Sequence, residues 1–485
     1  MSRIDRPDQL AQGEEGFLQY FADRKRVYPK RVYGRVRSVK WAVLVICLTV
    51  YYALPWLRWD RGEGRPDQAI LLDIADRHFF FFNMEFWPQD IYYLTGLLIL
   101  AAVGLFLVTS LFGRLWCGFA CPQTVWTDLF MFVERQIEGD RNERMRRDAA
   151  PMSFDTAWRK ALKHGLWLAI AFWTGGAWIM YYIDAPTAVH EFWTGSADPA
   201  VYAFVGLFTA TTYLLAGWAR EQVCTFMCPW PRFQAAMVDE QSLIVTYQAW
   251  RGEKRGHLKA QRNAAPGETY GDCIDCAGCV TACPTGIDIR DGSQLECIGC
   301  GLCIDACDMA LAKVGRPTGL IAWDNLERQA AKARGETLGF HLFRPRTLIY
   351  ASAMSLAFTV MVIAMSNRSD LSLSVQPDRA PLFVRLPDGT IRDGYTLKIA
   401  NRNQTDAVFE LHLEGLPGGE LALAEAHADR ATMLRLPVGP DQVASFRVLA
   451  TAPSHGASTS VNFVLHDTKG GDTTTEASVF LGPAQ

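Results

Sequence analysis

The sequence predicts a multi-domain integral membrane protein: an α-helical bundle of about five transmembrane helices, a cysteine-rich cytoplasmic insert, and a carboxy-terminal β-sandwich of immunoglobulin-like type. Three observations predict it. Five apolar stretches approach or exceed the ~20 residues a helix needs to cross a bilayer. Eight cysteines fall in two runs of one spacing between residues 273 and 307. From about residue 370 the pattern becomes short alternating runs separated by Gly, Pro, Asp and Asn. A chain of 485 residues has room for all three parts. Its net charge of −3 gives no reason to expect a nucleic-acid partner.

The expected spans are about 39–59, 91–112, 162–183, 201–218 and 347–366. The second carries no charge from Leu94 to Phe112, whereas Gly175 and Gly176 interrupt the third and His164 stands at its start. The first lies behind a polar, basic segment (1–38) with no small-residue cleavage site after it, so it reads as a retained anchor. Lys and Arg mark cytoplasmic segments. They crowd the amino terminus (Arg24, Lys25, Arg26, Lys30, Arg31, Arg35, Arg37, Lys40) and the 113–160 loop (Arg135, Arg141, Arg144, Arg146, Arg147, Arg159, Lys160), and are missing from the 184–200 loop. That bias places the amino terminus, the 113–160 loop and region 219–346 inside a bacterial inner membrane, and everything after Met365 outside. Tyr51, Tyr52, Trp56, Trp59, Trp87, Tyr92 and Tyr93 form the aromatic belts expected at its interfaces.

Cys273, Cys276, Cys279 and Cys283, then Cys297, Cys300, Cys303 and Cys307, repeat the spacing C-x2-C-x2-C-x3-C. This is the bacterial two-cluster ferredoxin pattern, predicting two [4Fe-4S] clusters in a domain at about 268–312. The fourth cysteine of each run serves the other cluster. Cys273, Cys276, Cys279 and Cys307 are therefore expected to hold one cube, and Cys297, Cys300, Cys303 and Cys283 the other. Ala277, Gly278, Gly299 and Gly301 give the tight turns such loops need. Asp308 stands where a simple ferredoxin has Pro. Zinc, the rival metal, takes four ligands in two C-x2-C pairs, which two full four-cysteine runs do not resemble.

A second cysteine pattern occurs twice. Cys117 and Cys121 before Pro122, and Cys224 and Cys228 before Pro229, are C-x3-C-P motifs (117–122 and 224–229) just past the second and fourth spans. Each is expected to lead into an amphipathic surface helix, over 124–137 and 232–247, so the two units look like an internal duplication. Soft thiolates, with Met227 nearby, suit Cu(I). Arg114, Arg220 and Arg232 would favour the thiolate form. Buried packing, a redox-active disulfide and a third iron–sulfur centre are the alternatives. Cys47 stands alone and reads as packing. No histidine pair suits bis-histidine haem, and there is no dinucleotide or Walker signature. The electron donor must then be external or a quinol.

The tail alternates apolar and polar residues over 382–386, 395–400, 407–413, 443–449, 460–465 and 476–481, with turns at 387–389, 401–403 and 417–419. Strands at this spacing argue for a β-sandwich over 370–485. It contains no cysteine, and His412, His427, His455 and His466 are scattered along it.

The segments Trp116-Cys-Gly-Phe-Ala-Cys-Pro-Gln-Thr-Val-Trp126 and Glu221-Gln-Val-Cys-Thr-Phe-Met-Cys-Pro-Trp-Pro-Arg-Phe-Gln-Ala-Ala236, with the eight-cysteine insert, resemble the cytochrome c oxidase accessory family CcoG, also called FixG or RdxA. The resemblance covers almost the whole chain, including the immunoglobulin-like tail and Asp308. It implies reduction of Cu(II) to Cu(I) for the maturation of cbb3-type cytochrome oxidase, with Cys117, Cys121, Cys224 and Cys228 as candidate copper ligands. It also implies oxidase assembly factors, or a copper transporter or chaperone, as partners. Two other readings compete: a quinol-oxidising subunit feeding a periplasmic reductase, and a non-enzymatic assembly scaffold.

Overall fold

The computed structural model describes residues 26–62, 65–75, 77–367, 371–401, 405–424, 430–440, 442–453, 456–468 and 471–483. Arg24, Lys25, His427, His455 and the turn residue Asn403 lie outside the described residues. The chain divides into two compact units, Met1–Met361 and Val362–Gln485.

In the first unit α1 (Arg35–Ala53) continues as a 3-10 turn to Trp56. The antiparallel sheet β1 (Ile70–Asp73), β2 (His78–Phe81) and β3 (Met84–Phe86) precedes α2 (Ile91–Phe112). Then come α3 (Leu115–Phe119), α4 (Pro122–Glu138), α5 (Arg141–Ala149), α6 (Phe154–Ile179), α7 (Ala185–Thr194) and α8 (Pro199–Thr212). The last turns of α8 open into a π-helix, Tyr213–Ala219. After α9 (Trp230–Met237), strand β4 (Ile244–Tyr247) leads to the short helices α10 (Ala249–Gly252), α11 (Leu258–Arg262) and α12 (Gly278–Ala282). The unit continues with α13 (Leu302–Lys313), β5 (Ile321–Asp324), which pairs antiparallel with β4, α14 (Leu326–Ala333) and α15 (Pro345–Ser366), which runs past the unit's last residue.

Four helices among the described residues are long and apolar enough to cross a membrane: Arg35–Trp56, Ile91–Phe112, Pro199–Ala219 and Pro345–Ser366. The expected third span is α6, which starts earlier, at Phe154, and carries Asp155, Arg159, Lys160 and Lys163 in its first turns. Gly175 and Gly176 do not interrupt it. A Cβ on Gly175 would lie 2.9 Å from the Val205 carbonyl oxygen, so the glycine lets α6 and α8 pack backbone to backbone. The 184–200 connection holds a helix, α7, whose cap Asp184 accepts from Thr187 N.

Both expected surface helices differ from expectation. α4 is not a solvated helix, because Asp128, Glu134 and Glu138 on it are buried. Each is met by cations: Asp128 by Arg37 (2.8 Å) and Lys40 (3.4 Å), Glu134 by Arg144 (2.7 Å) and Arg220 (3.0 Å), and Glu138 by Lys163 (2.8 Å). Several basic residues that the charge bias treats as solvated are thus inside the fold. In the second copy the helix stops at Met237 and the β-favouring run Ile244-Val-Thr-Tyr247 forms β4.

The second unit is two antiparallel sheets. One has the order β10 (Glu420–Leu423), β12 (Gln442–Ala452), β8 (Ile391–Asn401), β6 (Leu371–Pro377), with β7 (Val384–Arg385) also on β8. The other has β11 (Met433–Val438), β9 (Ala407–Glu414), β13 (Ser458–Asp467), β14 (Thr473–Leu481). Inward residues at period two fill the core: Tyr395, Leu397 and Ile399 of β8, Phe409 and Leu411 of β9, Phe463 and Leu465 of β13. The Tyr395 and Phe463 rings meet edge to face at 4.8 Å, and the Tyr395 hydroxyl donates to the Val479 carbonyl.

Candidate iron–sulfur and thiol centre

The two four-cysteine runs fold alike. Asp275 and Gly299, each two residues after the first cysteine of its run, have positive φ, and so do Ala277 and Gly301, each four residues after. Left-handed residues here curl the backbone so that successive thiols face one point. α12 and α13 then start immediately after Ala277 and Gly301. The fourth cysteines cross over. Cys307 lies within charge range of Cys279, Cys273 and Cys276, while Cys303 lies within range of Cys300, Cys297 and Cys283, and less strongly of Cys279 in the other group. Cys273, Cys276, Cys279 and Cys307 line one small cavity together with Ala277 and Leu311. Two groups of four thiols, the first around a small, mostly apolar cavity, suit two iron–sulfur cubes in donor type and number. Burial pushes Cys297 and Cys307 up to about 12 and Cys279 up to about 11, so bare thiols hold their protons and cluster insertion must release them.

Asp308 sits inside the continuous helix α13, and its Oδ1 accepts from Gly319 N at 2.7 Å. The carboxylate fixes the turn after the helix, a task a proline ring could not perform. The core of the insert includes Val36 of α1 and Phe119 of α3, so the insert packs on elements at the ends of two apolar helices. Asp305 of α13 accepts from Val36 N (3.3 Å) and Arg37 N (2.7 Å), capping α1 from a position far along the chain.

The C-x3-C-P cysteines of the two units lie near one another. Cys224 lies within charge range of Cys121, Cys117 and Cys228, and Cys117 within range of Cys121 and Cys228. Among the described residues no three His, Cys, Asp or Glu side chains are close enough to hold a single metal ion. Each unit sends a glutamine into the other. The Cys117 thiol donates to Gln234 Oε1 at 3.3 Å, and Gln123 donates to the Leu215 carbonyl at 2.8 Å. Sequence reasoning missed both glutamines, since nothing local marks a side chain that acts across a duplication.

The thiols also touch the ferredoxin-type insert. Cys117 and Cys224 pack on Ile298, Cys300 and Leu302. A Cβ on Gly118 would lie 2.9 Å from the backbone of Gly299 and Cys300, so α3 rests directly on the cysteine loop. Arg114 clamps this contact, donating to the carbonyls of Leu295, Cys297 (2.9 Å) and Pro231 (3.0 Å). Of the three arginines expected to favour the thiolate form, Arg114 does act on Cys117 in that direction, but it is outweighed. Burial is the larger effect, pushing Cys117 up to about 11 and Cys224 up to about 12. Arg220 is engaged by Glu134, and neither it nor Arg232 is among the main charges acting on these thiols. In the tail, His412 lies beside Glu414 (3.7 Å) and His466 Nδ1 bonds Thr473, as ordinary surface histidines do.

Apolar helices joined to this crossed cysteine insert define a membrane redox protein that binds iron–sulfur clusters. Known families agree: residues 219–326 match the 4Fe-4S dicluster domain, residues 94–138 a 4Fe-4S binding domain, and residues 361–483 the IG-like fold at the C-terminal of FixG. The chain is 46% identical to "Nitrogen fixation protein FixG" of Rhizobium meliloti (strain 1021), over 89% of this chain and 87% of that protein. It is 44% identical to "Protein RdxB" and 43% identical to "Protein RdxA" of Cereibacter sphaeroides, over 95% and 93% of this chain and 97% and 95% of those proteins. A crystal structure of a FixG-related protein from Vibrio parahaemolyticus aligns with 24% of this chain and 97% of its own, at 23% identity and TM-score 0.20. The chain belongs to the FixG/RdxA family.

Proposed function

We propose that this protein is a membrane cupric reductase. Cys273, Cys276, Cys279 and Cys307 would hold one [4Fe-4S] cluster and Cys297, Cys300, Cys303 and Cys283 the other, and each cluster would supply one-electron chemistry. Cu(II) meets the soft thiols of Cys117, Cys121, Cys224 and Cys228 and leaves as Cu(I) after gaining one electron. The supporting observation is the contact of Cys117 and Cys224 with the Cys300 loop, made close by Gly118. An electron leaving the second cysteine group finds the C-x3-C-P thiols of Cys117 and Cys224 packed on the same apolar cluster as Cys300, and sulfur ligands favour the reduced metal. The test is anaerobic Cu(I) production by the reduced protein, followed with a Cu(I)-specific dye. A Cys117/Cys121/Cys224/Cys228 quadruple serine variant is expected to lose at least tenfold in rate, and full activity in that variant would refute the assignment.

In this reading the chain crosses a bacterial inner membrane several times, with the insert cytoplasmic and the β-domain periplasmic. The Cu(I) serves assembly of cbb3-type cytochrome oxidase through assembly factors or a copper transporter or chaperone. Loss of active oxidase in cells carrying cluster-ligand variants would support this; normal oxidase in such cells would favour a scaffold.

One observation favours a second reading. The 94–138 match to a 4Fe-4S binding domain contains Cys117 and Cys121, so the C-x3-C-P thiols would hold a further cluster. Iron and acid-labile sulfide near eight per chain support copper passage; values near twelve support the extra cluster.

A further inference from the structure

A cavity of about 380 Å³ opens beside the second C-x3-C-P unit, between α6, the π-helix that follows α8, and Arg26–Val27. The reductase reading makes no use of it. Three aromatic rings, His164, Trp167 and Trp218, stand among its lining residues. His164 stands edge-on to Trp167 (5.2 Å, 87°) and near-parallel to Trp218 (6.2 Å, 24°). Its Nδ1 bonds the Tyr213 hydroxyl at 2.9 Å, and among the described residues Nε2 has no hydrogen-bond partner. π-helical turns within helices frequently mark functional sites. Here the turn brings Gly217 under Trp167, where a Cβ would lie 3.1 Å from the indole ring.

Charge identifies the occupant. Each cation at the rim already has a carboxylate: Arg26 and Lys160 have Asp148 (2.8 and 2.9 Å), Lys163 has Glu138 (2.8 Å), and Arg220 has Glu134 (3.0 Å). Arg26 and Lys160 share one carboxylate and Arg220 shares its own with Arg144, so every rim cation is engaged, and Glu221 in the wall adds a negative charge that disfavours a phosphate or a carboxylate. A flat, neutral ring with hydrogen-bonding oxygens suits an aromatic slot with an imidazole nitrogen at hand. The helix beside it, Pro199–Ala219, is one of the four apolar enough to cross a membrane, and Trp218 is 52% exposed, so a ligand dissolved in lipid can reach the opening.

We propose that this cavity binds the head group of a membrane quinol, and that quinol is the electron donor. The donor assignment rests on the reductase reading; the binding does not. Oxidation of one quinol breaks two O–H bonds and yields one quinone, two electrons and two protons. The electrons reduce two Cu(II) to two Cu(I). One proton passes to His164 Nε2 and the other to the carboxylate of Glu221, which lines the cavity and lies within charge range of Cys224.

The test is a titration of the purified full-length protein in detergent with ubiquinone-1, read by tryptophan fluorescence. Saturable quenching is expected because Trp167 and Trp218 line the cavity. His164→Leu is expected to weaken binding at least tenfold. Trp218→Ala, a change at an exposed side chain, is expected to weaken it too, and unchanged visible absorbance of the clusters checks that both variants fold. Inorganic phosphate and phosphatidylglycerol nanodiscs are expected to produce no His164-dependent quenching. Non-saturable quenching of the wild type, equal affinity in His164→Leu, or His164-dependent binding of phosphate or phosphatidylglycerol alone would overturn the proposal. The titration contains no copper, so quinone binding without copper reduction would sink only the reductase reading. Copper reduction by chemically reduced protein that binds no quinone would sink only this one.

Discussion

Two of the residues that join the redox insert to the rest of its unit each predict a measurement. Gly118 faces backbone on the other side, which cannot rotate away. Gly118→Ala should therefore cost about 1–3 kcal/mol by overpacking. It should also slow copper reduction at least tenfold while the cluster absorbance persists; an unaltered rate would mean the Cys300 contact is incidental. Asp305 satisfies two of the four backbone donors left open at the start of α1. Asp305→Ala should lower stability by about 1–2 kcal/mol, with Asp305→Asn milder, since an amide oxygen still accepts. Thermal unfolding in detergent checks the order of the three proteins. In the β-domain, burial raises the Asp393 carboxyl to about 6, although it accepts from Leu481 N. A carboxyl raised in the folded state stabilises most below its unfolded value and loses that contribution as pH rises through about 6. Asp393→Asn should thus stabilise residues 362–485, expressed alone, by about 1 kcal/mol at pH 7 and by almost nothing near pH 4. Melting curves at the two pH values decide it.

At the scale of elements, α4 carries the strongest electrostatic prediction. Burial alone would raise the Glu134 carboxyl, but the charges of Arg220 and Arg144 outweigh it and hold the group down to about 2. Its contribution is then complete above the ordinary carboxylate range and is lost as pH falls toward about 2. Glu134→Gln leaves Arg144 and Arg220 buried without their counter-charge, which should cost about 3–5 kcal/mol. A variant as stable as wild type at pH 7 would show that the cluster is hydrated. This element also marks where the sequence stops being readable. Its amphipathic pattern is plain, but the same pattern serves a solvated face or a buried ion-pair seam. Only the distant partners Arg37, Lys40, Arg144, Lys163 and Arg220 distinguish them. The cysteine runs were legible because their ligand spacing is local and chemically strict. β11 lies outside the alternating runs marked in the sequence, and Pro437 within it would argue against a strand, yet β11 lies at a sheet edge, where a missing N–H costs little. β6 follows a clear alternation over Leu371–Val375, just ahead of the first run marked in the sequence. The small sheet β1–β3 was hidden by the aromatic run around Phe79–Phe82.

On the scale of the whole molecule, the membrane arrangement proposed above is open to direct test. Single cysteines placed at exposed Arg31 and at Thr474, in a background that keeps the twelve grouped cysteines, should differ in labelling by a membrane-impermeant maleimide. In intact spheroplasts only the second should react, and equal reaction of both would refute the arrangement. The sequence conveyed the order of the cysteine-rich region and the β-domain that follows it, because composition changes abruptly at their border. It could not convey that the insert and the thiol motifs form one packed body. That follows from Gly118, Arg114 and Asp305, whose partners lie some 180 to 270 positions away.

The carboxylate that caps α1 is separated from Arg37 by 268 positions. Ribosomes add roughly 5–20 residues per second, so the first helix waits on the order of tens of seconds for its cap to be translated. During that interval its leading amides must be served by water, lipid head groups or a helper protein. Late arrival of this clasp makes the nascent protein most vulnerable before its metal-binding half exists, and a chain truncated ahead of Asp305 should be cleared by quality-control proteases rather than accumulate.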